Sequence, residues 1–122
     1  MPVPILKQGD YLIASIQAEL TDSQVLRFQD NLLRQVTEQR SRGIIIDVTA
    51  MDVVDSFASR SLRNISQAAR LRGAETVIVG IQPEVAFAMV QLGLTLEDVH
   101  TALDLEEALH YLDRKLKEPR GG

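Results

Sequence analysis

Uninterrupted and alternating apolar runs predict the strands of this chain. Residues 3–6 and 11–16 are short apolar runs separated by a segment that includes Gly9, a pattern typical of a β-hairpin. Residues 43–48 and 76–81 are continuous and rich in β-branched side chains, which is typical of strands buried on both faces of a largely parallel sheet. Residues 99–102 predict a short final strand.

Elsewhere, apolar residues recur at helical spacing and predict four helices. The first begins at Thr21 with the pattern of a capping box and closes in the basic segment that ends at Gly43. The second covers about 56–72, and the third begins at Pro83 and ends at Gly93. The fourth begins near residue 104. The predicted core stripes are Val25, Phe28, Leu32 and Val36, widened by Leu26 and Leu33; Ala58, Leu62, Ile65 and Ala69; and Leu105, Ala108, Leu109, Leu112 and Leu116.

The resulting order, β-β-α-β-α-β-α-(β)-α, predicts a single α/β domain. Its central sheet has four or five strands and is mixed but mostly parallel, with about four helices packed on it, because parallel strands are joined by helical crossovers. A chain of 122 residues has the size of one domain. We expect this domain to cover residues 1–117, with residues 118–122 as a flexible C-terminal tail.

Composition argues against several classes of function. Without Cys there is no disulfide scaffold, thiolate nucleophile or Cys-ligated metal site. His100 and His110 have no obvious metal-ligating partner, and Glu106 is spaced to form a surface pair with His110. A net charge of −4 and 4% aromatic residues argue against nucleic-acid binding. No apolar run approaches the ~20 residues of a membrane span. We therefore expect a cytoplasmic protein that is not an enzyme and needs no cofactor or metal.

The segment after the third strand places acidic residues directly before a basic helix. Its charged residues are, in chain order, Asp47, Asp52, Asp55, Arg60, Arg63 and Arg70. The three arginines lie on the helix face opposite the core stripe. In open α/β sheets, functional groups gather beyond the carboxyl ends of the strands, where this segment lies. The arginine face is either a solvated helix surface or a docking surface for a partner.

Ser56 lies where this acidic turn becomes the helix. In one interpretation, Asp55 or Ser56 only caps the helix by accepting hydrogen bonds from its free N–H groups. In the other, Ser56 is a regulatory phosphorylation site, because a phosphate there meets those N–H groups and the positive helix end. Arg60 can then pair with the phosphate, while Asp52 and Asp55 oppose it. The alternative acceptors lie inside the helix, at Ser59, Ser61 and Ser66.

Residues 44–48, followed after six residues by Asp55 and Ser56, resemble the signature of STAS domains, the fold of anti-anti-sigma factors. Residues 80–86 and 92–94 resemble the exit of the fourth strand and the end of the third helix in that family. The likeness covers essentially the whole chain. Where the family usually has Asp-Ser-Ser-Gly, Phe57 and Ala58 follow the Asp-Ser pair here. In this respect the chain is similar to the small scaffold subunits of the bacterial stressosome. The segments that carry this similarity are residues 4–7, 15–17, 55–57, 80–83 and 101–106.

The resemblance implies a set of partners and no catalysis. Such subunits assemble with sensor-bearing STAS paralogues into a large complex that sequesters a switch serine/threonine kinase, and a dimer or homo-oligomer is expected. The kinase phosphorylates the Ser of the Asp-Ser pair and is released, and a dedicated phosphatase resets the Ser. Carried over by position, Ser56 is the acceptor. The paralogues have a second regulatory Thr where this chain has Asp22, which is either a charge mimic or an ordinary helix-start acid.

Two other functions remain open on the sequence. A simple anti-anti-sigma factor would bind an anti-sigma kinase. A receiver domain would take phosphate on Asp47 with a bound metal ion. The acidic pair and the late Lys that a receiver needs are poorly matched here by Asp10, Lys115 and Lys117.

Overall fold

The computed structural model describes residues 3–117, which form five strands and four helices. In chain order these are β1 (Ile5–Gln8), β2 (Tyr11–Ser15), α1 (Asp22–Gln39), β3 (Gly43–Asp47), α2 (Ser56–Leu71), β4 (Glu75–Val79), α3 (Pro83–Gln91), β5 (His100–Ala102) and α4 (Leu105–Lys117). The predicted α/β order is confirmed, and its boundaries agree to within about two residues. The predicted tail, residues 118–122, lies outside the described residues.

The five strands form one sheet in the order β1-β2-β3-β4-β5. β1 and β2 pair antiparallel through a turn at Gly9, whose φ is +59°, and the other three pairs are parallel. Parallel strands end at the same edge of a sheet, which we call the carboxyl edge. All four helices follow such strands and therefore begin at the carboxyl edge.

The first turns of the helices carry residues that accept hydrogen bonds from free backbone N–H groups or that place negative charge at the positive end of the helix. The capping box predicted for α1 is confirmed, since Thr21 and Gln24 each accept a hydrogen bond from the backbone N–H of the other. Acidic first-turn residues are Asp22 in α1, Glu84 in α3, and Glu106 and Glu107 in α4. The first turn of α2 has none. Within residues 3–117, no helix combines the length and the apolar character that crossing a membrane requires.

Alternation along the strands directs side chains into two cores. Leu12, Ile44 and Ile78 pack with α1, α2 and α3 on one face of the sheet, and Ile45 and Val77 pack with α4 on the other. The stripe residues that are confirmed as buried are Val25, Phe28, Leu32, Val36, Ala58, Leu62, Ile65, Ala69, Ala108 and Leu112. The central strands are covered on both faces, which explains their continuous apolar sequences.

Some details of the predicted packing are wrong. Leu26 and Leu105 are exposed, because Leu26 lies beside the buried stripe of α1 and Leu105 is the first residue of α4, at the end of its stripe. Gly43 does not end α1, which closes at Arg40 in a left-handed conformation with φ 51°. Gly43 begins β3, where a Cβ would lie 2.8 Å from Cδ1 of Tyr11, so the glycine allows close packing of that ring.

Tyr11 ties β2 to α4 and makes stability dependent on pH. Its hydroxyl donates to Asp113 Oδ1 at 2.5 Å. Burial, with the hydrogen bond to Asp113 and that residue's charge, raises the pKa of Tyr11 to about 12. An unfolded Tyr ionises near pH 10, at about its ordinary pKa. Between about pH 10 and pH 12 the folded state therefore keeps a proton that the unfolded state has lost, so stability falls as pH rises.

We expect the free energy of unfolding of the wild type to decrease with pH more steeply than that of Tyr11→Phe above about pH 9.5. Urea titrations at a series of alkaline pH values measure both slopes. Parallel slopes would show that the Tyr11 hydroxyl has no part in the alkaline loss of stability.

Candidate functional site

The β3–α2 loop, residues 48–55, lies at the carboxyl edge between two regular elements. Met51 and Val54 are buried in the core cluster, whereas Val53 between them is exposed. The Met51 N–H also donates to the Val48 carbonyl at 2.9 Å. Two apolar anchors and a local hydrogen bond restrict the loop, so the groups that it carries are held in defined positions.

Asp47, a predicted member of the site, forms the first turn of this loop. Its Oδ1 accepts hydrogen bonds from the Thr49 backbone N–H at 2.9 Å and from the Thr49 hydroxyl at 2.6 Å. Gly80, just after β4, has φ +81°, and a Cβ at this position would collide with Thr49 Oγ1. Asp47 therefore shapes the site through its contacts with Thr49.

The sequence left open which residue caps α2, and the cap is Asp55. Its Oδ1 accepts a hydrogen bond from the Ala58 N–H at 2.8 Å, and its backbone is extended. Ser56 is the exposed first residue of the helix. Its hydroxyl is therefore not required for the cap, and the N–H groups of Ser56 and Phe57 have no acceptor within the helix itself.

The other serines of α2 are buried. Ser59, Ser61 and Ser66 are 1%, 5% and 2% exposed. The Ser59 hydroxyl has no hydrogen-bond partner within the described part of the chain. The folded domain therefore offers Ser56 to a partner, and none of these three alternatives.

The arginine face of α2 consists of Arg60, Arg63 and Arg70, all of which are exposed. Ser56, Arg60 and Arg63 follow one another at i, i+4 and i+7, so they lie along one stripe of the helix. Arg70 is farther along, and its Nη2 donates to the Asp98 carbonyl at 2.8 Å, in the segment before β5. Arg60 and Arg63 are thus available beside Ser56, while Arg70 also holds a neighbouring segment.

Two residues that were not predicted hold the β3–α2 loop from either side. Glu19, in the β2–α1 connection, accepts a hydrogen bond from the Asp52 N–H through Oε1 at 2.7 Å. Gln82, which precedes α3, donates from Nε2 to the Thr49 carbonyl at 2.6 Å. Glu19 follows β2 and Gln82 follows β4, the two strands that neighbour β3. Their place just after these strands was the one signal in the sequence that could have indicated a role at the site.

An apolar groove of about 360 Å³ opens beside Ser56, between the β3–α2 loop and α3. Val53, Val85 and Leu92 are among its lining residues, and Asp52 and Asp55 also line it. α3 exposes further apolar surface at Phe87 and Val90, which are 66% and 73% exposed. An apolar groove with charged residues at its rim is typical of a contact site for another molecule.

The remaining predicted residues have separate positions. Asp22 is the exposed first residue of α1, at the same edge as Ser56. The His100 ring stacks on Tyr111 with centroids 3.6 Å apart, which packs α4 against β5, whereas Glu106 and His110 are exposed on α4. Among the residues that the structure describes, no three His, Cys, Asp or Glu side chains are grouped so that they could hold a metal ion.

Comparison with known sequences identifies relatives of this domain. The sequence model of the STAS-domain family matches residues 3–108. The RsbT co-antagonist protein RsbRA of Bacillus subtilis (strain 168) is 38% identical over 94 residues, which are 74% of this chain and 34% of that protein. The chain spans less than half the length of each RsbT co-antagonist relative that it matches.

Solved structures show the same fold. A variant of RsbS from Moorella thermoacetica is 38% identical, with a TM-score of 0.84, over 97% of this chain and 100% of that one. A chain from the molecular architecture of the stressosome, described as a signal integration and transduction hub, is 36% identical, with a TM-score of 0.76, over 94% and 100%. The receiver-domain alternative has no support in these matches or in the contacts of Asp47 with Thr49. The chain belongs to the STAS-domain family.

Proposed function

We propose that this domain is a non-catalytic scaffold of a stressosome-type assembly, and that an RsbT-like switch serine/threonine kinase binds it and phosphorylates Ser56. The observation that carries the proposal is the exposed Ser56 at the first position of α2, with Asp55 as the cap. The similarity to RsbS and to a stressosome chain supports the scaffold role.

Phosphorylation of Ser56 would change charge while leaving packing intact. A phosphoserine carries about −1.5 to −2 charges at neutral pH. At the start of α2 this charge is stabilised by free N–H groups and by the positive end of the helix. Arg60, one turn along, can pair with the phosphate, whereas Asp52 and Asp55 repel it. The modified domain keeps its fold, and the surface around Ser56 becomes more negative.

Two surfaces beside Ser56 suit a kinase that must cover this hydroxyl. The arginine face, and Arg60 and Arg63 above all, suits an acidic surface of the partner. The apolar groove suits apolar side chains, which gain by leaving water. A phosphate between these surfaces repels the acidic partner and adds charge beside the apolar contact, and both effects favour release of the kinase.

Further partners follow from the scaffold role. We place an RsbR-like sensor paralogue beside this domain, because the relatives include RsbT co-antagonist proteins. An RsbX-like phosphatase would remove the phosphate from Ser56, and the domain would self-associate as a dimer or a larger homo-oligomer. Asp22 would keep a permanent negative charge where the paralogues carry a regulatory Thr. The domain would act as one unit over residues 1–117, in the cytoplasm.

Incubation with the switch kinase and Mg-ATP is expected to add a single phosphate, located on Ser56, because the other serines of α2 are buried. Intact-mass spectrometry counts the phosphates, and peptide mapping locates them. Ser56→Ala, which leaves the Asp55 cap intact, is expected to take up none. A hydroxylamine-labile phosphate on Asp47, or undiminished uptake by Ser56→Ala, would contradict the proposal.

A further inference from the structure

Glu19, in the segment between β2 and α1, contacts the loop that leads into Ser56. Its Oε1 accepts the Asp52 N–H at 2.7 Å, although the two residues are 33 positions apart. The acceptor is a carboxylate, and hydrogen bonds to a charged acceptor are shorter and stronger than those between neutral groups. The contact therefore holds the β3–α2 loop through a residue that belongs to another segment of the chain.

The point of attachment is an exposed part of the loop between two residues that the core holds. Met51 and Val54 are buried, but Asp52 and Val53 between them are exposed. Gln82 holds the loop as well, but it does so at the Thr49 carbonyl, nearer to β3 and farther along the chain from Ser56. Glu19 is thus the side chain that fixes the exposed part of the loop adjacent to the Asp55 cap.

We propose that Glu19 is a positioning residue for the phosphorylation of Ser56. By accepting the Asp52 N–H, it keeps the β3–α2 loop in the conformation that presents the Ser56 hydroxyl to the kinase. This inference rests on the proposed function. The arginine face lies on α2, and α3 lines one side of the apolar groove while the loop lines the other. Docking keeps the contacts outside the loop, and a loosened loop lowers the fraction of bound domain that is aligned for transfer. The effect therefore falls mainly on kcat, with a smaller change in KM.

The test compares three variants as substrates of the kinase. Glu19→Ala removes the acceptor, and we expect kcat to fall about fivefold, the factor that corresponds to one hydrogen bond of typical net strength. Glu19→Gln keeps an acceptor oxygen at the same place and is expected to recover most of the rate. Glu38→Ala, which removes an exposed glutamate near the other end of α1, is the matched control and is expected to behave as wild type.

A second measurement needs no kinase. Hydrogen exchange at the Asp52 amide of the free protein should accelerate in Glu19→Ala and return towards the wild-type rate in Glu19→Gln, with no change in Glu38→Ala.

The outcomes separate the two proposals. If the wild type is phosphorylated on Ser56 but Glu19→Ala keeps the wild-type kcat, the positioning role is wrong and the proposed function stands. Failure of Glu19→Gln to recover, or a rise in KM alone, overturns the positioning role as well. If the wild type takes up no phosphate on Ser56, the proposed function is wrong, and the positioning role falls with it.

Discussion

Ser56→Asp is expected to weaken binding of the switch kinase by about tenfold or more, which corresponds to about 1.4 kcal/mol of binding free energy. The free energy of unfolding should stay within about 0.5 kcal/mol of the wild type, as is usual for an exposed position without a structural contact. The two effects differ because Asp55, and not Ser56, caps α2. The new carboxylate adds to the charges of Asp52 and Asp55, and it lies one helical turn from Arg60 of the arginine face.

Titration calorimetry with the kinase and urea unfolding measure these two quantities separately. Ser56→Asn is the matched control, since its side chain has nearly the size of Asp but no charge, and we expect it to bind within about threefold of the wild type. Equal losses for Asp and Asn would mean that shape rather than charge controls binding. Wild-type affinity of Ser56→Asp would contradict release of the kinase by charge.

Gly80→Ala is expected to lower the free energy of unfolding by about 2–4 kcal/mol. This would be the largest loss of stability caused by any single substitution considered for the site. A residue with a side chain at φ +81° is strained, typically by about 1–2 kcal/mol. In addition, the new Cβ would collide with Thr49 Oγ1, so the turn that Asp47 forms with Thr49 must move. The start of the β3–α2 loop would therefore shift, and we expect slower phosphorylation of Ser56 in the fraction that remains folded.

Two further variants divide this effect into its parts. Gly73→Ala places a side chain at φ +83° where a Cβ would have no neighbour within 4 Å, so it reports the strain of the backbone alone. The double variant Gly80→Ala/Thr49→Ala removes the colliding hydroxyl and should recover part of the loss. Urea unfolding provides all four free energies. A loss in Gly80→Ala no greater than that in Gly73→Ala would show that close contact with Thr49 is unimportant.

Much of this fold follows from local patterns in the sequence. Continuous β-branched runs located the central strands, and helical spacing located the buried stripes, because both patterns reflect which side of an element faces the core. The capping box at Thr21 was likewise predictable, since all of its atoms lie within one turn of chain. The acidic turn before Ser56 indicated the candidate site for the same reason.

The remaining features depend on which strands lie side by side. The contacts of Glu19 with Asp52 and of Gln82 with Thr49 each join residues 33 positions apart, and they exist because β2 and β4 flank β3. No local pattern encodes that proximity. The place of Gly43 at the start of β3 was predicted, but its constraint was not, because the ring of Tyr11 belongs to the neighbouring strand.

The shared starting edge of the four helices has one more consequence for Ser56. Each helix has a macrodipole equivalent to about half a positive charge at its first turn. In α1, α3 and α4 a first-turn carboxylate compensates this charge permanently, whereas α2 has only the Asp55 cap before its first turn. A kinase that phosphorylates Ser56 would add a second negative charge beside that of Asp55, and a phosphatase would remove it again. The charge at the first turn would thus be fixed in three helices and reversible in one.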